Sequence, residues 1–305
     1  MKAITVSDRA AGAAGLRLDE LPEPHAAEND VVVQVRAAGF TPGELAWPAT
    51  WTDRSGRDRT PTVPGHELAG VVTALGYGTT GLTVGQRVFG FADWARNGTL
   101  AEYVAVETRN LAPLPADIDF VTAASLPISG LTAWQGLFEH GRLQAGQTVL
   151  VDGVAGGVGT IVAQLAREAG AVVVGAGRGS HRERALEAGA HLFVDTEGDW
   201  SAVEGGVDLV FDVIGGDVGA RSADRLRAGG RLVTIVEPPQ LARTDVDAVF
   251  FVVEPDRAQL VEIARRVRSG ALRPFVGDVV PLEEAAAAFG ARAAGRGKTI
   301  VRVGD

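Results

Sequence analysis

Residues 149–159 read VLVDGVAGGVG, and this stretch limits the fold more tightly than any other in the chain. Val149, Leu150 and Val151 form an apolar run short enough for a buried strand. Glycines follow at 153, 156, 157 and 159, and from Ile161 apolar residues recur at helical spacing. Strand, glycine turn and helix is the context in which such a turn holds phosphate. The bare backbone lets a pyrophosphate approach, and the helix N-terminus offers free N–H groups and the positive end of its dipole. In that setting the turn reads as dinucleotide-binding rather than as a tight turn alone.

Composition narrows the rest. A chain of 305 residues suggests two domains, each with its own core. Its 40 glycines are about twice the usual share, as many tight turns between short elements would require. A net charge of −9 argues against a general nucleic-acid or anionic-membrane surface. Cysteine is absent, which removes disulfides, thiolate metal sites and thiol nucleophiles together. The N-terminus MKAITVSDRA lacks the apolar core of a signal peptide, and no apolar run reaches membrane-spanning length. The expectation is a soluble cytoplasmic protein.

Along the chain, the first third is β-rich, with strands expected near 3–6, 16–21, 31–37, 68–75, 87–91 and 101–106. The tract 41–62 breaks this pattern. It reads either as a solvated loop anchored by Trp47 and Trp51 or as a pocket wall or lid. From about Phe120 short apolar runs (149–151, 172–174, 192–194, 207–211, 232–236) alternate with helical segments (161–169, 182–188, 222–227). That is the signature of a parallel doubly wound sheet. A further helix is expected over 258–269. After Pro274 the strands near 276–280 and 299–303 resemble the first third again, so the parallel-sheet domain reads as an insertion.

In such a sheet the residue ending the second strand selects the cofactor. An acidic residue there accepts from the ribose hydroxyls and favours NAD. The chain instead reads GAGRGSHR over 175–182, placing Arg178 and Ser180, with Arg182 behind them, to contact a 2′-phosphate. The alternative is that they are solvated charges capping the next helix. Two later strand ends, at 212–216 and 235–238, border the cofactor by topology and bring Val213 and Ile235 to it. Acid–base candidates are few: Tyr77 and Tyr103, the hydroxyls of Thr41 and Thr132 beside turns, and Asp93 and Asn97 in a polar loop. That scarcity fits hydride transfer, in which the cofactor carries the chemistry.

Taken together, these residues resemble the medium-chain dehydrogenase/reductase superfamily, in its zinc-independent quinone oxidoreductase branch. The likeness runs through Ala37-Ala38-Gly39, Pro64-Gly65-His66-Glu67 with Gly70, Ala101-Glu102-Tyr103 and Leu131-Thr132-Ala133-Trp134. It continues in Val154-Ala155-Gly156-Gly157-Val158-Gly159, Gly229-Gly230-Arg231-Leu232-Val233 and Gly297-Lys298. The resemblance implies an α/β protein with a GroES-like β-rich catalytic domain (1–117 with 275–305) and a Rossmann NADP-binding domain (118–274). It implies NADPH, its pyrophosphate over Ala155, Gly156, Gly157 and Val158 and its 2′-phosphate near Ser180. Thr132 then lies by the nicotinamide ribose, Phe251 and Val253 beside the ring, and Lys298 near the cofactor. Gly65-His66-Glu67 also resembles part of a zinc alcohol dehydrogenase signature. Without cysteine or an evident co-ligand, His66 reads as a hydrogen-bonded core histidine, and no metal is expected.

Relatives read GVNPVD and then a tyrosine-containing stretch where this chain reads GFTPGELA over 39–46. Thr41 stands at the asparagine position, and Trp47 and Trp51 are expected to replace the tyrosine as an aromatic wall. The resulting reading is an NADPH-dependent reductase of a quinone or an α,β-unsaturated carbonyl. The alternatives are an enoyl-thioester reductase, for which Arg54, Arg57 and Arg59 supply a basic track, and a catalytically silent NADPH-binding sensor. The apolar run 249–253 reads as an edge strand paired across a homodimer or as an interior strand.

Overall fold

The computed structural model of the chain describes residues 1–241, 243–291 and 297–304. Two units divide it: Met1–Ile128 with Pro255–Arg268 and Phe275–Asp305, and Ser129–Glu254 with Ser269–Pro274.

In the first unit β1 (Lys2–Thr5) pairs antiparallel with β2 (Arg17–Glu20). The spine is β3 (Asp30–Gly39), whose valines and alanines are buried while Gln34 and Arg36 are half-buried. β4 (Glu67–Leu75), β5 (Arg87–Phe91), β6 (Tyr103–Glu107) and β7 (Leu111–Pro113) complete the early strands. β3 pairs antiparallel with both β4 and β6. Register shifts at Val32/Val33 and Val35/Ala37 mark bulges, the device by which long strands bend around a core. Ile4, Val31, Val33, Leu68, Val88, Leu100 and Leu111 fill that core.

The second unit is a six-stranded parallel sheet of β8 (Thr148–Asp152), β9 (Val172–Gly177), β10 (Leu192–Asp195), β11 (Val207–Asp212), β12 (Leu226–Thr234) and β13 (Asp247–Phe250). Its spatial order is β10-β9-β8-β11-β12-β13. That is the doubly wound order 3-2-1-4-5-6, whose direction reverses between β8 and β11. β8 is apolar on both faces because it is central. β13 is an edge of the sheet and takes in Val249 and Phe250 of the run 249–253, while residues 251–253 lie beyond it. One expected helix is displaced: residues 216–223 are helical, and the chain is already extended from Leu226. Asp212 is the reason. Its carboxylate accepts the Ile214 and Gly215 N–H groups, closing a turn right after β11 from which the helix sets out at Gly216.

β14 (Val276–Pro281) and β15 (Lys298–Arg302) return to the first unit, giving the order β14-β15-β3-β4-β5-β7 with β6 also on β3. The helix Arg257–Ser269 also joins that unit. Arg257 donates to the carbonyls of Leu111, at 2.7 Å, and Thr108, and Arg268 donates to Asp117. The expected boundaries had grouped this helix with the parallel sheet, since its amphipathic pattern does not say which sheet it covers.

Candidate active site

The glycine turn follows β8 directly. Gly156 caps the helix Gly157–Glu168 with no side-chain hydrogen bond, so the first N–H groups of twelve helical residues face outward. A Cβ at Gly159 would stand 2.2 Å from the Gly153 carbonyl oxygen, so only glycine lets helix and turn meet this closely. The usual fingerprint carries glycine where Val154 stands. Val154 is fully buried, and the space for it is left by Gly175 on β9.

Beneath the turn, Asp152 is sealed from solvent and its Oδ1 accepts the Ser222 hydroxyl at 2.8 Å. Burial pushes this carboxyl well above the usual carboxylate range, Asp212 adds to the rise, and the Ser222 hydroxyl opposes it. Asp212 itself accepts the Thr234 hydroxyl at 2.9 Å. Val213 lies over Gly153, and the Ile235 N–H donates to the Asp212 carbonyl. The turn, Val213 and Ile235 therefore meet at the strand ends beside the reversal point.

The helix Pro127–Trp134 carries Thr132, buried, and continues as a π-helix over Gln135–His140. Such widened turns recur at functional sites. Gln135 clasps the Glu254 backbone from both sides, its amide donating to the carbonyl at 2.8 Å and accepting the N–H at 3.1 Å. That fixes the segment holding Phe251 and Val253. Both are buried, and the Phe251 ring lies 4.4 Å from His140 between centroids.

At the end of β9, Arg178 and Ser180 are exposed and make no side-chain hydrogen bond among the described residues. Arg182 is turned over the Phe193 ring instead. No carboxylate ends β9, but Asp195 on the neighbouring β10 comes close: a Cβ on Gly179 would lie 2.6 Å from its Oδ2.

In the first unit, residues from three segments gather around His66. Glu44, fully buried, accepts the N–H of Thr41 at 3.0 Å and that of Gly65, and faces His66 Nδ1 at 3.4 Å. Trp94 lies against the His66 ring at 4.8 Å between centroids, Trp47 stands at 6.3 Å, and the two indoles meet edge to face. Sequence reasoning passed over Glu44 and Trp94. The first had a signal: Thr41-x-x-Glu44 has the spacing of a capping box, and the glutamate does reach back to the Thr41 N–H. Trp94, in a short irregular loop, had none.

The other expected residues of this unit lie differently. Trp51 is buried in the core with its indole N–H on the Leu45 carbonyl, so it anchors the loop rather than walling a pocket. The Tyr103 hydroxyl accepts from Gln34 across the β3–β6 pair. Lys298 pairs with Glu67, which is fully buried and also accepts the Ile128 N–H at 2.9 Å. Burial pushes the Glu67 carboxyl up, against the Lys298 ammonium that holds it ionised. The tract 52–60 is an ordered turn. Asp53 accepts two backbone N–H groups, Arg54 pairs with Asp93, and Arg59 donates to the carbonyls of Ala49 and Thr50.

Residues 27–116 match the family described as alcohol dehydrogenase GroES-like domain, and residues 188–301 match the zinc-binding dehydrogenase family. The chain is 32% identical over 294 residues to the NADPH-dependent alkenal/one oxidoreductase of Arabidopsis thaliana, covering 90% of this chain and 72% of that protein. The chain belongs to the medium-chain dehydrogenase/reductase superfamily. A quinone oxidoreductase of Rattus norvegicus is 29% identical over 288 residues, covering 88% of this chain and 86% of the relative. The quinone oxidoreductase structure from Coxiella burnetii superimposes with a TM-score of 0.91 at 26% identity, over 100% of this chain and 99% of that one.

Membership makes the protein an oxidoreductase working with a nicotinamide cofactor. The residues fit that cofactor: Gly159 lets the helix N-terminus close on the turn after β8, and no side chain caps that N-terminus. They do not fit the superfamily's catalytic zinc. The chain has no cysteine, and among the described residues no three histidine, aspartate or glutamate side chains gather as metal ligands. Among those residues His66 meets a single carboxylate, Glu44, and two indole rings. No helix among the described residues is long and apolar enough to cross a membrane.

Proposed function

We propose that the protein is a zinc-independent reductase that uses NADPH to reduce a quinone or an α,β-unsaturated carbonyl. The observation that carries the cofactor choice is the end of β9, where exposed Arg178 and Ser180 stand without protein partners among the described residues. A guanidinium there meets a 2′-phosphate with paired charge-assisted hydrogen bonds. In this reading the pyrophosphate rests on the N–H groups of Ala155, Gly156, Gly157 and Val158. Thr132, Phe251 and Val253 serve the nicotinamide end, held by the Gln135–Glu254 clasp.

The substrate class follows from the relatives' names and from the aromatic rings of Trp47 and Trp94, which suit a flat conjugated electrophile. The enoyl-thioester alternative needs a basic track. Arg54 and Arg59 are already engaged with Asp93 and with backbone carbonyls, which leaves that track thin. We further place the protein in the cytoplasm as a homodimer joined through β13. This strand is the sheet's edge, and Val252 just beyond it is 59% exposed.

The test is consumption of NADPH, followed by its absorbance, with a panel of quinones, enones and enoyl thioesters. Turnover with quinones or enones supports the reading. No turnover with any of them leaves the silent sensor, and faster turnover with the thioesters favours the alternative reductase.

A further inference from the structure

We propose that Asp195 accepts the adenosine 2′-hydroxyl when no 2′-phosphate is present, so that the protein binds NADH as a second cofactor beside NADPH. The proposal rests on the reading above that the adenosine end of the cofactor lies at the end of β9.

An unphosphorylated ribose needs a carboxylate at that strand end, because a carboxylate accepts hydrogen bonds and donates none. β9 ends without one, and β10 supplies it from the side. The two strands run parallel in register, with Asp195 opposite Gly177. Neighbouring strands lie about 5 Å apart, so a side chain ending β10 reaches the loop that follows β9. Glycine makes the approach possible. A Cβ on Gly179 would lie 2.6 Å from Asp195 Oδ2, closer than a side chain allows. The carboxylate therefore stands beside the residue that separates Arg178 from Ser180.

One oxygen of Asp195 is committed and the other is open. Oδ1 accepts the Glu197 N–H at 3.1 Å, within the turn after β10. Oδ2 has no hydrogen-bond or ion-pair partner among the described residues. Nor is it among the unpartnered side-chain atoms that are sealed from solvent, so a ligand can reach it.

The turn that carries this carboxylate is fixed. The Thr196 N–H donates to the Gly177 carbonyl and the Gly198 N–H to the Asp195 carbonyl, both at 2.9 Å. Arg221 donates to the carbonyls of Thr196 and Gly198, each at 3.2 Å, and its guanidinium lies over the buried Trp200 ring. An acceptor held in place before the ligand arrives loses little freedom on binding.

Charge makes the two cofactors alternatives at one loop. Arg178, exposed and without a partner among the described residues, meets a 2′-phosphate, which Asp195 repels. Without the phosphate, the 2′-hydroxyl donates to Oδ2. Arg182, the other arginine of the loop, is turned over Phe193 and does not neutralise Asp195 by pairing with it.

The experiment titrates wild type, Asp195→Asn and Gly179→Ala with NADPH, NADH and the NADH analogue that lacks the adenosine 2′-hydroxyl, read by nicotinamide fluorescence. Melting temperature controls for folding. Asparagine keeps an oxygen for the Glu197 N–H, so its NH2 group takes the place of Oδ2 and offers a donor where an acceptor stood. Wild type is expected to bind NADH about 10-fold more tightly than the analogue. Asp195→Asn is expected to bind NADH about 10-fold more weakly than wild type, level with the analogue, while NADPH tightens by a few-fold. Gly179→Ala, whose methyl displaces Oδ2, is expected to lose NADH by a similar factor and to change NADPH by less than about threefold. Undetectable NADH binding by wild type, or equal affinity for NADH and the analogue, overturns the proposal. Unchanged NADH binding by either variant does the same. So does an equal loss of NADH and NADPH in Asp195→Asn, since Asp195 then touches a part that both cofactors share. If Asp195→Asn does not fold, the wild-type comparison and Gly179→Ala decide. Wild type that binds NADPH but reduces no quinone or enone defeats the reductase reading and leaves this contact standing. Wild type that binds neither dinucleotide removes the cofactor site and the contact together.

Discussion

Val154, in the turn after β8, occupies the space left by Gly175 on β9: a Cβ on Gly175 would lie 2.8 Å from Val154 Cγ1, and Val154 is fully buried. The phosphate turn thus tolerates a branched residue at a position usually left to glycine. Gly175→Ala is expected to overpack this contact and cost about 1–3 kcal/mol in urea unfolding, with weaker NADPH binding as the turn shifts. Val154→Gly, although closer to the usual fingerprint, is expected to destabilise by leaving a void. Equal stability of Gly175→Ala and wild type would show that the two residues do not compete for space.

Cofactor choice is a matter of charge at one loop. Arg178→Ala is expected to weaken NADPH binding about 10- to 100-fold while leaving NADH nearly unchanged, as read by fluorescence titration of both. Asp195, close to Gly179, opposes a 2′-phosphate, so Asp195→Asn is expected to tighten NADPH by a few-fold. If Arg178→Ala lowers both affinities equally, the arginine is not reading the 2′-phosphate.

How much of this was legible in the sequence depended on whether the deciding contact was local. Strands β8 to β11 and the second half of β12 announced themselves by apolar runs, and the glycine turn by its place between strand and helix. Residues 216–223 did not, because the turn before the helix is closed by Asp212, a role that shows only when its carboxylate meets the Ile214 and Gly215 N–H groups. Trp47 and Trp51 looked alike in sequence. Only packing separated them, one beside His66 and the other buried with its N–H on Leu45. The pairing of Lys298 with Glu67 joins residues far apart in the chain, which no spacing rule connects.

Asp152 gives the fold a dependence on pH. Its folded-state pKa is raised above the ordinary 3.8, mainly by burial, so above that value the unfolded chain releases a proton the folded chain keeps. The folded state then binds more protons, and stability falls as pH rises. Asp152→Asn removes the ionisation and keeps an oxygen for Ser222. Its melting temperature is expected to match wild type near pH 3.8 and to exceed it increasingly toward neutral pH. A constant offset at every pH would mean that Asp152 ionises alike in both states.

Fully buried Glu67 pairs with half-buried Lys298 and ties β4 to β15, with the Ile128 N–H on the second carboxylate oxygen. Taking the lysine away leaves the Glu67 charge without compensation in a place where water cannot reach it. Lys298→Met is therefore expected to cost about 3–5 kcal/mol in urea unfolding. The double variant Glu67→Gln, Lys298→Met removes both charges but leaves an oxygen for Ile128, so it is expected to recover much of that loss. The coupling from the double-mutant cycle separates the two contributions. If the double variant is as unstable as the sum of the single ones, the loss comes from packing of the lysine stem, and the charge pair contributes little.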